Sequence, residues 1–184
     1  KLFPPDELAH ASTEARVLAA VQDALPIPTP RLHAFDTQDR WPYLLMSRLA
    51  GERVVTAWPR LSQIERDRLG DQLGQGIAAL HAIDIAPLAD LPPRWDEFVP
   101  AQRASAAQRQ RNRRLAPAWV EQIEPFLQRW MPPPAPSLAL LHTELMREHL
   151  MVDQGRLSGL FDFEPAMIGA PEYDFASVGL FVSC

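Results

Sequence analysis

The sequence predicts an α+β fold, in which helices and small strands follow one another with no internal repeat. Three observations predict it. Apolar residues recur at helical spacing in three segments, short apolar runs joined by turn residues occupy the rest, and 19 prolines punctuate the boundaries. Those prolines gather at Pro4–Pro5, Pro26–Pro30, Pro92–Pro93 and Pro132–Pro136, where a fixed φ and a missing N–H end elements rather than interrupt them.

The first segment, "PPDELAHASTEARVLAAVQDALP", opens with a helix-start signal, carries Leu8, Ala11, Ala15, Leu18 and Val21 along one stripe, and stops at Pro26. Two strand-like runs follow, Arg31 to Phe35 and Trp41 to Leu49, separated by the turn-rich "DTQDR" and closed by Gly51. Ser62 and Glu65 make an S-x-x-E capping box, after which Leu69, Leu73, Ile77, Leu80 and Asp84 keep to one face of a long amphipathic helix. A further helix is expected over "APAWVEQIEPFLQRW", with Val120, Ile123, Leu127 and Trp130 on one side and Pro132 to Pro134 as its stop. The last third changes period. "LALLH", "LMVD" and "RLSGLFDF" are short apolar runs, the last two joined by "QG" as a tight hairpin.

Composition removes several functional classes. A chain of 184 residues, 47% hydrophobic and 22% charged, buries a core and is neither disordered nor fibrous. Its net charge of −5 argues against general nucleic-acid binding, and the local run Arg103, Arg109, Arg111, Arg113 and Arg114 reads as a solvated helix face. The lone cysteine, Cys184, excludes an internal disulfide framework, and no apolar run approaches the ~20 residues of a membrane span. No signal peptide is visible, so a cytoplasmic location is expected. Nothing here fixes the oligomeric state.

Two placements point to chemistry. Glu14 falls on the apolar side of its helix, where an unpaired carboxylate costs several kcal/mol, so it needs a cation. Lys1 is the only lysine in a chain that otherwise uses arginine, which suggests a need for a compact ammonium charge. The second concentration is "LALLHTELMREHLMVD", where His142, Glu144 and His149 crowd the end of a strand. A zincin requires H-E-x-x-H and an inverzincin H-x-x-E-H, and neither spacing is present. An H-x-E pair as two arms of an iron facial triad would need His149, or a histidine from far upstream, as its third ligand.

The order of segments resembles the aminoglycoside phosphotransferase family, small-molecule kinases of the protein-kinase-like fold. Lys1, Glu14, "IPTPRL", "YLLMSRLAG", "IAALHAI", "HTELMREHL", "GLFDFEPA" and "EYDFA" occur in the family's order along nearly the whole chain. The resemblance implies a two-lobed fold: a partial N-terminal nucleotide-binding lobe and hinge over residues 1–50, and a mainly helical C-terminal catalytic lobe over 51–184 with a catalytic-loop hairpin. It implies ATP or GTP as donor, Mg²⁺ as metal with Mn²⁺ as an alternative, and a small-molecule hydroxyl, such as that of an aminoglycoside-type antibiotic, as acceptor.

By the same resemblance Lys1, paired to Glu14, holds the α- and β-phosphates. Met46, Ser47 and Leu49 form the adenine hinge through main-chain groups, Asp162 with His149 forms the metal end, and Glu144 takes the place of the catalytic base. Arg147 is placed by its position alone to assist at the γ-phosphate, His142 and Asp174 brace the loop through hydrogen bonds, and His81 is expected to be a satisfied, partly buried histidine. Thr143, Glu144 and His149 stand where the family pattern has Gly, Asp and Asn. These three departures raise an alternative, a catalytically weakened nucleotide-binding pseudokinase with a regulatory or scaffolding role. The pattern also has strands before its lysine and helices after "YDFA", so the resemblance implies an enzyme longer than this chain.

Overall fold

The computed structural model describes residues 1–130 and 137–182. The chain divides into two compact units, one formed by Lys1–Pro92 together with Leu138–Cys184, the other by Pro93–Ser137.

In the first unit, α1 (Leu8–Val21) buries Ala11, Ala15, Val17, Leu18 and Val21 as the stripe predicts, and with them Glu14. Leu8, in the helix's first turn, stays half exposed. Next come β1 (Leu32–Gln38) and β2 (Trp41–Met46), an antiparallel pair with Phe35 opposite Leu44. Asp39 and Arg40 both take positive φ, 49° and 71°, the two-residue mirror-image turn whose twist suits a hairpin. The second strand ends at Met46, short of the expected Leu49. There the Ser47 amide donates to the Arg31 carbonyl and the Arg31 amide donates to Ser47 Oγ, both at 2.9 Å, which closes the ladder and releases the chain. At Gly51, φ 87°, a Cβ would lie 2.3 Å from the Val152 carbonyl oxygen, so glycine is required.

Beyond it lie β3 (Glu52–Arg53), a single helical turn α2 (Val54–Ala57) and α3 (Gln63–His81). Both halves of the capping box form: Ser62 Oγ accepts from the Glu65 amide, and the Glu65 carboxylate accepts from the Ser62 amide at 2.8 Å. Leu69, Leu73, Ile77 and Leu80 are buried, while Asp84 lies past the helix end and accepts the Ala86 amide instead.

The second unit pairs α4 (Trp95–Asn112) with α5 (Pro117–Arg129). No residue of α4 is fully buried, which agrees with a solvated basic face, although the Arg103 guanidinium donates to the Leu127 carbonyl. On α5 Val120 is buried, but Trp130 is 60% exposed instead of joining the stripe, because the helix has already ended at Arg129. The expected stop at Pro132 to Pro134 lies outside the described residues.

The chain returns to the first unit through β4 (Ala139–Leu141), β5 (Leu150–Asp153), β6 (Arg156–Leu160), β7 (Met167–Gly169) and α6 (Glu172–Phe181). Two small antiparallel sheets result, β3-β5-β6 and β4-β7. The predicted "QG" hairpin joins β5 to β6, with Gln154 and Gly155 at φ 48° and 70°. Leu140, Leu141, Leu145, Leu150, Leu160, Phe163 and Met167 are almost completely buried beneath the connecting loops. The α+β expectation therefore holds at the level of elements and their order. Among the described residues no helix is long and apolar enough to cross a membrane.

Candidate active site

Residues from both ends of the sequence meet at Lys1. Its Nζ lies 2.8 Å from Glu14 Oε2, 2.5 Å from Asp162 Oδ1 and 2.8 Å from Glu164 Oε2, with the Phe3 ring 4.9 Å away. Position follows from backbone pairing: the Lys1 carbonyl accepts the Leu44 amide and the Lys1 backbone nitrogen donates to the Leu44 carbonyl, which fixes the side chain over α1. Burial works against the ammonium charge, yet the hydrogen bonds it donates to Asp162, Glu14 and Glu164 outweigh it and hold the Lys1 pKa above its ordinary value. Glu14 is 2% exposed, and desolvation pushes its carboxyl up even though Lys1 pulls it back. One ammonium facing three carboxylates leaves negative charge in excess, so the cluster attracts a further cation.

Asp162 follows β6 in the left-handed region, φ 71°, which turns its side chain out of the strand register. While Oδ1 meets Lys1, Oδ2 faces His149 Nε2 at 3.3 Å. The other ring nitrogen, His149 Nδ1, donates to the Glu144 carbonyl at 2.9 Å. His149 ends a 3₁₀ turn, Arg147–His149, that brings it back over the loop it has just left. The Glu144 side chain is exposed.

A buried carboxylate organises that loop. Asp174, on the first turn of α6 and fully buried, accepts the His142 amide at 3.2 Å, the Thr143 amide at 2.7 Å and His81 Nε2 at 2.9 Å. Thr143 sits at φ 69°, where a β-branched residue is strained by about 1–3 kcal/mol, and its hydroxyl donates to the Pro165 carbonyl at 3.0 Å. The His142 ring is fully buried against Phe163, donates Nε2–H to the Phe161 carbonyl at 3.0 Å, and leaves Nδ1 without a partner among the described residues. Burial pushes its pKa down to about 4, so the ring is neutral.

Of the residues singled out from sequence, the fold brings Lys1, Glu14, His149 and Asp162 into one cluster, with Glu144 bonded to it through its carbonyl. At the hinge the Ser47 carbonyl and the Leu49 amide make no hydrogen bond among the described residues, whereas Met46 is spent in the β1–β2 ladder. Arg147 is engaged elsewhere. Its guanidinium donates to the Val182 carbonyl at 3.0 and 2.8 Å and stacks 4.1 Å from the Trp58 ring, so action at a phosphate would require it to leave both. Glu164 was not foreseen, although "FDFE" carried the signal: two acids two residues apart after a strand share one side of the chain. It also meets His10 Nδ1 at 3.4 Å.

Solved structures show the same arrangement of elements. Aminoglycoside 2′-phosphotransferase-IIIa in complex with GDP matches with a TM-score of 0.77 at 19% identity, over 94% of this chain and 62% of that one. The GDP and kanamycin complex of APH(2″)-IIIa matches at 0.76 and 20%, over 95% and 61%, and the streptomycin–ATP complex of APH(2″)-IIa at 0.64 and 21%, over 92% and 60%. The chain thus spans about three fifths of the length of these structures. Its relationship is also direct, since the profile of the phosphotransferase enzyme family matches residues 1–183, and the chain belongs to that family.

Proposed function

We propose that this chain carries the nucleotide and catalytic site of a kinase that transfers the γ-phosphoryl group of ATP or GTP to a hydroxyl of a small molecule, with aminoglycoside-type antibiotics the first acceptors to test. The observation that supports it best is the triple engagement of Lys1 with Glu14, Asp162 and Glu164, which joins a phosphate-binding ammonium to a metal-binding carboxylate. Three of the matched structures hold GDP or ATP, and two hold an aminoglycoside.

In this reading residues 1–50 form the nucleotide side and hinge, and residues 51–184 the catalytic side. The Ser47 carbonyl and Leu49 amide receive the base, and Lys1, steadied by Glu14, meets the α- and β-phosphates. Glu144 orients the acceptor hydroxyl and takes its proton as that oxygen bonds to the γ-phosphorus and the bond to the β–γ bridging oxygen breaks, leaving ADP or GDP. Asp162 and His149 fit a divalent ion: two lone-pair donors 3.3 Å apart match two positions about 3 Å apart around one octahedral ion. When bound, Mg²⁺ or Mn²⁺ would offset the phosphate charge.

Calorimetric titration of ATP with and without Mg²⁺, followed by phosphate transfer to a panel of hydroxylated antibiotics, tests this. Metal-dependent binding and transfer abolished in Glu144→Ala are expected. Tight ATP binding with no transfer to any acceptor would instead favour the pseudokinase reading, which the strained Thr143 and the longer arm of Glu144 support.

A further inference from the structure

We propose that Thr143 is a positioning residue for phosphoryl transfer: its hydroxyl fastens the loop that carries Glu144 to the turn that carries Glu164, and so fixes where the Glu144 carboxylate stands. This rests on the phosphotransferase reading for the reaction, but it concerns a residue that in that reading touches neither nucleotide nor acceptor.

The backbone angle is the first observation. Thr143 holds φ 69°, where a branched Cβ is strained and glycine is not. One neutral hydrogen bond typically contributes less than such strain costs, so the 3.0 Å bond to the Pro165 carbonyl does not by itself account for threonine on grounds of stability. Strain of this kind clusters at functional sites. The partner is the second observation. Glu164 and Pro165 are the central residues of a turn that the Ala166 amide closes on the Phe163 carbonyl at 3.1 Å. That turn begins one residue after Asp162 and holds Glu164 Oε2 2.8 Å from Lys1 Nζ. A single hydroxyl therefore ties the loop between β4 and β5 to the loop between β6 and β7.

Three bonds then pin the main chain on which Glu144 stands. The Thr143 amide donates to Asp174 Oδ1 at 2.7 Å, the Thr143 hydroxyl donates to the Pro165 carbonyl, and the Glu144 carbonyl accepts from His149 Nδ1 at 2.9 Å. None of them touches the Glu144 carboxylate, whose side chain has one more torsion to fix than an aspartate's. A longer arm enlarges at its tip any swing at its root, and proton removal from the acceptor depends on where that tip stands. Thr143 and Glu144 are therefore a coupled pair, a stiff backbone position serving a long side chain.

The test is steady-state kinetics of the full-length protein with ATP as donor and a panel of aminoglycosides as acceptors, for Thr143→Ser, Thr143→Val and Thr143→Gly, with a thermal midpoint for each. Thr143→Ser keeps the hydroxyl and should stay close to the parent. Thr143→Val keeps the strain and strands the Pro165 carbonyl, whereas Thr143→Gly relieves the strain, so the midpoint should be lower in the first than in the second. In both, kcat should nevertheless fall by about 10- to 100-fold with KM for ATP unchanged. Beside Glu144→Asp the loss from Thr143→Gly should shrink, because the shorter arm asks less of its root. Parent kcat in Thr143→Gly, losses that follow the midpoints, or an undiminished loss beside Glu144→Asp overturns the inference and leaves the phosphotransferase reading standing. No transfer by the parent to any acceptor overturns both. Thr143→Gly needs no strained angle, so the result does not depend on Thr143→Val folding.

Discussion

Lys1 Nζ and Asp162 Oδ1 are 2.5 Å apart although 161 positions separate them in the chain. A contact of that span closes the site across the whole first unit, and Glu14 and Glu164 share the same ammonium. Replacing Lys1 with Met should therefore do two things. ATP affinity falls by about tenfold or more as a charged phosphate contact is lost, and three carboxylates are left without their cation. Calorimetry on the variant checks the first, and a lower thermal midpoint that recovers on adding Mn²⁺ checks the second.

Glu144 is exposed and, among the described residues, reaches the cluster through its carbonyl, which in the proposed reading leaves its carboxylate to serve the acceptor. Glu144→Gln should lower kcat by about 10²- to 10⁴-fold while ATP affinity and thermal midpoint stay close to those of the parent. Unchanged turnover would remove it as the base.

Arg147 discriminates between a structural and a catalytic assignment. Loss of its bonds to the Val182 carbonyl and its stack on Trp58 in Arg147→Ala should destabilise the protein by about 2–3 kcal/mol, read from urea denaturation, with ATP affinity unaltered. A drop in nucleotide affinity at unchanged stability would return it to the phosphate.

His142 sets an acid limit on stability. Its pKa falls from about 6.5 to about 4 on folding, so the unfolded chain binds the extra proton throughout that interval. Stability from this group is fully present above pH 6.5 and is lost as pH falls toward 4, by about 3 kcal/mol in all. Urea unfolding at pH 7 and pH 4.5 measures the slope, and ring NMR signals of His142 should show no titration above pH 5.

Much of this was legible in the chain because the signals were local or were made of residue types with few alternatives. A capping box at Ser62 and Glu65, an alternating run ending in "QG", and a glutamate on an apolar stripe each carry their own physical requirement. The partner of Glu14 was legible because the chain offers a single lysine. The two-residue strand β3, the three-residue β7 and the short α6 were not, since elements of that length carry too few residues to show a period. Neither was Glu164, whose role depends on the turn that follows Asp162. Trp58 was missed for a similar reason: its partner Arg147 lies beyond any local window, so only the closed fold shows that the cation is already stacked.

The dependence of the loop on Asp174 has a consequence for synthesis. The amides of His142 and Thr143 wait for a carboxylate 32 and 31 positions downstream, and Thr143 holds its strained angle only once that carboxylate arrives. At about 5–20 residues per second on the ribosome, the stretch around Glu144 emerges ~2–6 s before the group that locks it. For that interval the nascent chain presents an unfinished loop, and a stall between these positions would release a product with Glu144 out of place.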